Sequence, residues 1–170
     1  MTRASVTPAS LIATVGGIGY LRPAPGTWGS LAALPLAYGL HLLGGFPLLA
    51  LATVFCTVIG IWATAEMTRG QTDHDPSEIV IDEVAGQWLA IWAISYPAWA
   101  HGIAITALWP GWLAAFVLFR LFDIWKPGPV GWADRKAGPV GVMMDDVIAG
   151  ILAAIGVIAL AGFSHGVLGL

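Results

Sequence analysis

PAPGTWGSLAALPLAYGLHLLGGFPLLALATVFCTVIGIWATA, residues 23–65, runs for 43 residues without one Asp, Glu, Lys or Arg. A segment that long and that apolar reads as membrane-embedded, and its length suits two helical spans of about 20 residues each. Gly44-Gly45-Phe46-Pro47 is the natural turn between them. Thr27 or Ser30 is placed to cap the first helix, which runs to about Leu43; the second runs from about Leu48 to Met67.

The same reading extends outward. Residues 84–119 and 147–170 are also free of Asp, Glu, Lys and Arg, so every charge falls in one of three islands. Arg3 and Arg22 form the first, Glu66 to Glu83 the second, and Arg120 to Asp146 the third. The chain is 58% apolar and 10% charged, with a mean hydropathy of +0.81. Ordinary soluble domains carry roughly 25% charged residues, so the composition argues against a soluble globular fold. A net charge of −3 gives no reason to expect a nucleic-acid partner. The lone Cys56 cannot form an internal disulfide, lacks a nearby base and reads as packing. Several of the nine tryptophans (Trp28, Trp99, Trp125, Trp132) lie near the ends of apolar runs, as interfacial anchors do. A length of 170 residues suits one domain, 1–170.

Arg3 followed by LIATVGGIGYL is reminiscent of a signal peptide, but no A-x-A-like site follows, and residues 9–21 read as a short interfacial or re-entrant segment. Asp75-Pro76-Ser77 predicts a third helix from near Glu78, stopping before Tyr96-Pro97. A fourth ends near Trp125; Pro110-Gly111 either opens it or kinks a longer helix from near His101. A fifth starts at about Asp145. If each run spans once, all three islands share one face, which the positive-inside rule makes cytoplasmic. The expected fold is all-α: a small polytopic membrane bundle of about five embedded helices, with its polar loops gathered on the cytoplasmic face.

The chemistry must then lie in the islands. Glu78 and Asp82, four apart on the predicted helix, repel each other, and Asp82 and Glu83 sit well into an apolar stretch. A bound cation relieves both costs, and oxygen-only ligands without Cys or paired His suit Mg²⁺ rather than Zn²⁺. Asp73, Asp75 and Glu78 read equally well as solvated loop charges, and Asp145 and Asp146 as acids complementing a helix N-terminus. Arg120, Asp123 and Lys126, spaced i, i+3, i+6 among aromatic residues, read either as surface salt bridges or as a cationic clamp for a phosphate around a metal-binding Asp. Gly26-Thr27-Trp28-Gly29-Ser30 is a weak anion-loop signal, and His74 is a possible proton-transfer assistant. The lack of a Cys-x5-Arg loop or Walker A motif removes two other phosphate chemistries.

PGTWGS, DHDPSEIVIDEVAGQW, FRLFDIWKPGPVGWADRK and GVMMDDVIAG, in that order, resemble the phosphatidylglycerophosphatase A family of bacterial membranes. The resemblance implies a Mg²⁺-dependent enzyme of phospholipid biosynthesis. It would hydrolyse phosphatidylglycerophosphate to phosphatidylglycerol and phosphate as a multi-pass protein of the bacterial inner membrane, its active site facing the cytoplasm. Motif by motif it implies functional roles for Asp82, Glu83, Arg120, Asp123, Lys126, Asp145 and Asp146. In that reading Asp82, Glu83, Asp123, Asp145 and Asp146 hold Mg²⁺, while Arg120 and Lys126 offset phosphate charge. Partners are then the substrate and bilayer lipids. The alternatives are a phosphatase of another lipid phosphomonoester and a cation-binding transporter or assembly subunit. Transporters place ionisable groups at mid-membrane, which the three uncharged stretches lack.

Overall fold

The computed structural model describes residues 7–73 and 75–164; His74 lies outside them. The described residues are helical, with no strand among them. The elements are α1 (Pro8–Ala13), a 3-10 turn (Ile18–Tyr20), α2 (Pro25–Met67), α3 (Ile81–His101), a second 3-10 turn (Ile105–Leu108), α4 (Trp109–Trp125), α5 (Pro129–Asp134) and α6 (Pro139–Phe163).

The expected turn in the long uncharged run is present. α2 breaks at Gly44 and Gly45, and Gly45 takes φ +65°, a conformation that penalises any residue with a Cβ. The break is a reversal, as the contacts with α3 demonstrate. Along the first arm, Gly29 meets Val80 and the Trp88 indole donates to the Ala33 carbonyl at 2.9 Å. Along the second, Phe46 meets Tyr96, Trp92 Nε1 donates to Thr53 Oγ1 at 3.2 Å, and Gly60 lies against Ile81. The first arm therefore runs with α3 and the second against it. α4 also runs against α3, since Gly111 lies by Ile94 and Phe119 by Gly86. Pro25–Met67, residues 105–125 and Pro139–Phe163 are long and apolar enough to cross a membrane. α3 has 21 residues and bears Asp82 and Glu83 in its first turn.

Several boundaries differ from expectation. α2 opens at Pro25 behind Ala24, so neither Thr27 nor Ser30 caps it; Ser30 Oγ instead donates to the Gly26 carbonyl at 2.9 Å. α3 begins at Ile81, so Glu78 lies in the preceding turn and the supposed Glu78–Asp82 helical pair does not exist. At its other end α3 continues through Pro97 to His101, as membrane helices permit when neighbours satisfy the freed carbonyl. Pro110-Gly111 opens α4 rather than kinking a longer helix. α6 begins at Pro139, so Asp145 and Asp146 stand in its second turn and not at its start. A dipole effect confined to the first turn does not account for them. The N-terminal segment is a short α1 followed by a 3-10 turn.

Candidate active site

The start of α2, the start of α3, the end of α4 and the first half of α6 meet at one end of the bundle, around a cleft of about 380 Å³. All seven residues singled out from the sequence line it: Asp82, Glu83, Arg120, Asp123, Lys126, Asp145 and Asp146. Asp82, Asp145 and Asp146 are buried, at 7%, 6% and 3% exposure, while Glu83 and Asp123 are half-buried.

The five expected metal ligands divide into two groups. One carboxylate oxygen from each of Asp82, Glu83 and Asp146 lies within 4.8 Å of the other two. Glu83 Oε2 and Asp146 Oδ1 are buried with no hydrogen-bond partner among the described residues. Two buried acids and a half-buried one this close, two of them with buried unmet oxygens, are costly unless a cation joins them, and an oxygen-only donor set fits Mg²⁺. Asp123 and Asp145 instead have cationic partners. Arg120 Nη1 donates to Asp123 Oδ2 at 2.5 Å, and Lys126 Nζ donates to Asp145 Oδ2 at 3.0 Å. Within the adjacent pair 145–146, then, the two acids face different partners.

Local structure explains how the cations reach. Arg120 points between α2 and α3, with Nη1 3.9 Å from Glu83 Oε1 and 3.5 Å from Ser30 Oγ. Gly26 permits this approach, because a Cβ there would collide with the Glu83 carboxylate. Lys126 ends α4 in the left-handed region at φ 50°, which swings its side chain away from Asp123 to lie between Asp145 and Asp134. Burial works to lower the Lys126 pKa, but the hydrogen bonds and charges of Asp134 and Asp145 outweigh it and raise the value above that of an ordinary lysine. Of the two sequence readings of residues 120–126, the Arg120–Asp123 salt bridge forms, but in the cleft rather than on an exposed face.

The structure adds residues that the sequence did not single out. Asp75, read as a possible solvated loop charge, lines the cleft, and burial raises its carboxyl pKa against the opposing pull of Lys126. Asp134 holds the outer side of Lys126. Gln87 is fully buried one turn beyond Glu83, and neither amide atom has a partner among the described residues. A polar residue at i+4 from an acid on an otherwise apolar helix was its only sequence signal. His74, expected as a possible proton-transfer group, lies outside the described residues.

The sequence model of the family described as Phosphatidylglycerophosphatase A matches residues 11–161. The chain is 38% identical over 156 residues to the Phosphatidylglycerophosphatase A of Haemophilus influenzae, covering 91% of this chain and 90% of that one. It is 36% identical over 149 residues to the Escherichia coli protein of the same name, covering 86% and 80%. It is also 39% identical over 156 residues to a Bacteroides thetaiotaomicron protein named provisionally as a phosphatidylinositol-3-phosphatase, covering 89% and 91%. No solved structure matches.

Proposed function

This chain belongs to the phosphatidylglycerophosphatase A family, and from that premise we propose that it hydrolyses phosphatidylglycerophosphate to phosphatidylglycerol and phosphate in a Mg²⁺-dependent reaction of phospholipid biosynthesis. The observation that carries the proposal is the cleft itself. A largely buried cluster of three carboxylates (Asp82, Glu83, Asp146) stands beside two cations, Arg120 and Lys126, at the charged end of a bundle of apolar helices. An anionic phosphomonoester needs both a cation to meet the carboxylates and positive side chains of its own. In this reading the protein lies in the bacterial inner membrane with the cleft facing the cytoplasm, in keeping with the charge distribution.

Asp82, Glu83 and Asp146 would hold Mg²⁺, with Asp145 and Asp123 beside them. A bound ion would supply polarisation of the phosphoryl oxygens and a lowered pKa for water. Arg120 exchanges Asp123 for the substrate and meets charge developing on the phosphoryl oxygens. Asp123, released from Arg120, accepts a hydrogen bond from the attacking water and orients it. Lys126, held by Asp134 and Asp145, offsets further phosphate charge. As the water oxygen bonds to phosphorus, the bond between phosphorus and the glycerol oxygen breaks, and the proton given up by the water, relayed through Asp123, goes to the leaving glycerol oxygen. Ser77 lines the cleft, but its Oγ already accepts a hydrogen bond from Arg22 Nη1 at 3.0 Å, and this reading takes water rather than a side chain as the nucleophile.

The test is phosphate release from phosphatidylglycerophosphate in detergent micelles, with Mg²⁺ and with EDTA, using Asp123→Asn as the control. Release with Mg²⁺ that EDTA and the substitution both abolish is the expected result. Absence of release from folded protein would overturn the proposal. The Bacteroides relative gives reason to run a phosphatidylinositol phosphate in parallel. Faster turnover of that lipid would favour the reading as a phosphatase of another lipid phosphomonoester.

A further inference from the structure

We infer that the acyl chains of the lipid substrate lie along the seam between the first arm of α2 and α4, ending in the apolar groove bounded by Leu34, Pro35, Tyr38, Trp109 and Trp112. The inference rests on the lipid phosphatase reading and adds where the lipid body goes. At the cleft, the seam begins where Gly26 and Ser30 face Arg120. At its far end Tyr38 and Trp112 meet edge to face, their ring centroids 6.4 Å apart. The intervening stretch of helix from Gly26 to Tyr38 rises about 18 Å. One leaflet of bilayer hydrocarbon is about 15 Å deep. A lipid with its phosphate in the cleft therefore has its chain ends at the depth of the groove, which measures about 380 Å³.

A second apolar groove, of about 440 Å³, lies by Phe46, Trp92, Tyr96 and Ile158. Its α3 and α6 walls lead back to the cleft along the α3–α6 seam. That seam is closed at the level of the acids, where a Cβ on Gly86 would strike the Asp146 carbonyl and one on Gly150 would strike the Gly86 carbonyl. α2 and α4 pack against each other less extensively than α3 and α6 do, and side chains meet at both ends of their seam, Arg120 with Ser30 and Tyr38 with Trp112. The α2–α4 seam is thus the looser of the two.

The test compares dipalmitoyl and dihexanoyl forms of phosphatidylglycerophosphate. Leu34→Trp fills the proposed groove, and Ala154→Trp fills the rival one. Each methylene displaced from an apolar site weakens binding about fourfold, so Leu34→Trp raises KM for the long-chain lipid about tenfold or more. The loss on the short-chain lipid, whose chains stop short of the groove, is at least about fivefold smaller, and Ala154→Trp has no chain-length effect. An equal loss on both lipids, or a chain-length effect from Ala154→Trp alone, would overturn the inference. Photo-cross-linking of the wild-type protein by a long-chain analogue with a photoreactive group near the chain end gives a readout independent of turnover and of variant folding. Adducts within 34–38 or 109–112 support the assignment, and adducts at 92–97 overturn it. Failure of the wild-type protein to release phosphate from either lipid would instead sink the phosphatase reading.

Discussion

The two ends of α3 are built on opposite principles. At its far end Phe46 stacks edge-on against Trp92 and Tyr96, with centroids 5.4 and 5.3 Å apart, and His41 Nδ1 shares a 2.8 Å hydrogen bond with the buried Ser95 hydroxyl. Polar groups there have partners and the rings fill space. At the near end Glu83 Oε2, Asp146 Oδ1, Arg120 Nε and both amide atoms of Gln87 are buried without partners among the described residues. Each such atom costs about 1–3 kcal/mol. One end of the bundle is optimised for the folded chain alone, whereas the other acquires its missing interactions only when a ligand of suitable charge arrives. That contrast is the physical signature expected of a site, in which stability is given up locally for binding.

The largest expected effect lies at the unsatisfied end. Asp146→Asn removes one of three close anions and should lower phosphate release about 10³-fold, the scale on which loss of a charge-stabilising group acts. The same change relieves repulsion, so thermal stability without Mg²⁺ should not fall. On the Mg²⁺ proposal the wild-type melting temperature should rise with the ion, and that rise should be absent from the variant. Melting curves with and without the ion check all three statements. A lower Tm in the variant with an intact Mg²⁺ response would show that Asp146 serves the fold.

Phe46→Ala probes the satisfied end. Losing a half-buried ring that meets three others should cost about 2 kcal/mol of stability, measured by denaturant titration in detergent. The folded fraction should keep the wild-type kcat. A large fall in kcat at this distance from the cleft would show that the two ends are coupled.

The sequence reveals the two ends to different degrees. The uncharged run and its Gly-Gly-Phe-Pro turn announced the hairpin in α2, because apolar length and glycine placement are local properties. The acids and cations of the cleft were also legible, since charge is rare in so apolar a chain. Their grouping was not. Glu83 and Asp146 are neighbours only because α3 packs on α6 through Gly86 and Gly150, and no spacing rule encodes that contact. Helix starts misled where Pro and Gly serve two purposes. Gly138-Pro139 reads as loop but opens α6, and the Pro-Gly-Pro stretch after Lys126 conceals α5. Asp75-Pro76-Ser77 reads as a helix cap, whereas the chain stays irregular to Val80, leaving Asp75 in the cleft and Val80 against Gly29.

The smallest effect marks where the charged end stops. Asp134 pairs with Lys126 at the rim, where their side chains are 38% and 32% exposed. Exposed ion pairs contribute about 0–1 kcal/mol, and Lys126 retains the more buried Asp145 when Asp134 becomes Asn. Asp134→Asn should therefore change stability by less than about 0.5 kcal/mol and kcat/KM by less than about twofold. The Lys126 pKa falls toward the ordinary lysine value but stays far above neutrality, so the activity profile between mildly acidic and mildly basic pH should keep its shape. Because the folded-state value is raised, the stability that Lys126 contributes is fully present below the ordinary lysine pKa and is lost only as pH climbs past it. Salt should weaken the Asp134 contribution readily and the buried Asp145 contribution little. A tenfold loss of activity in Asp134→Asn would move the boundary of the site outward onto α5, making that short helix part of the phosphate clamp rather than its support.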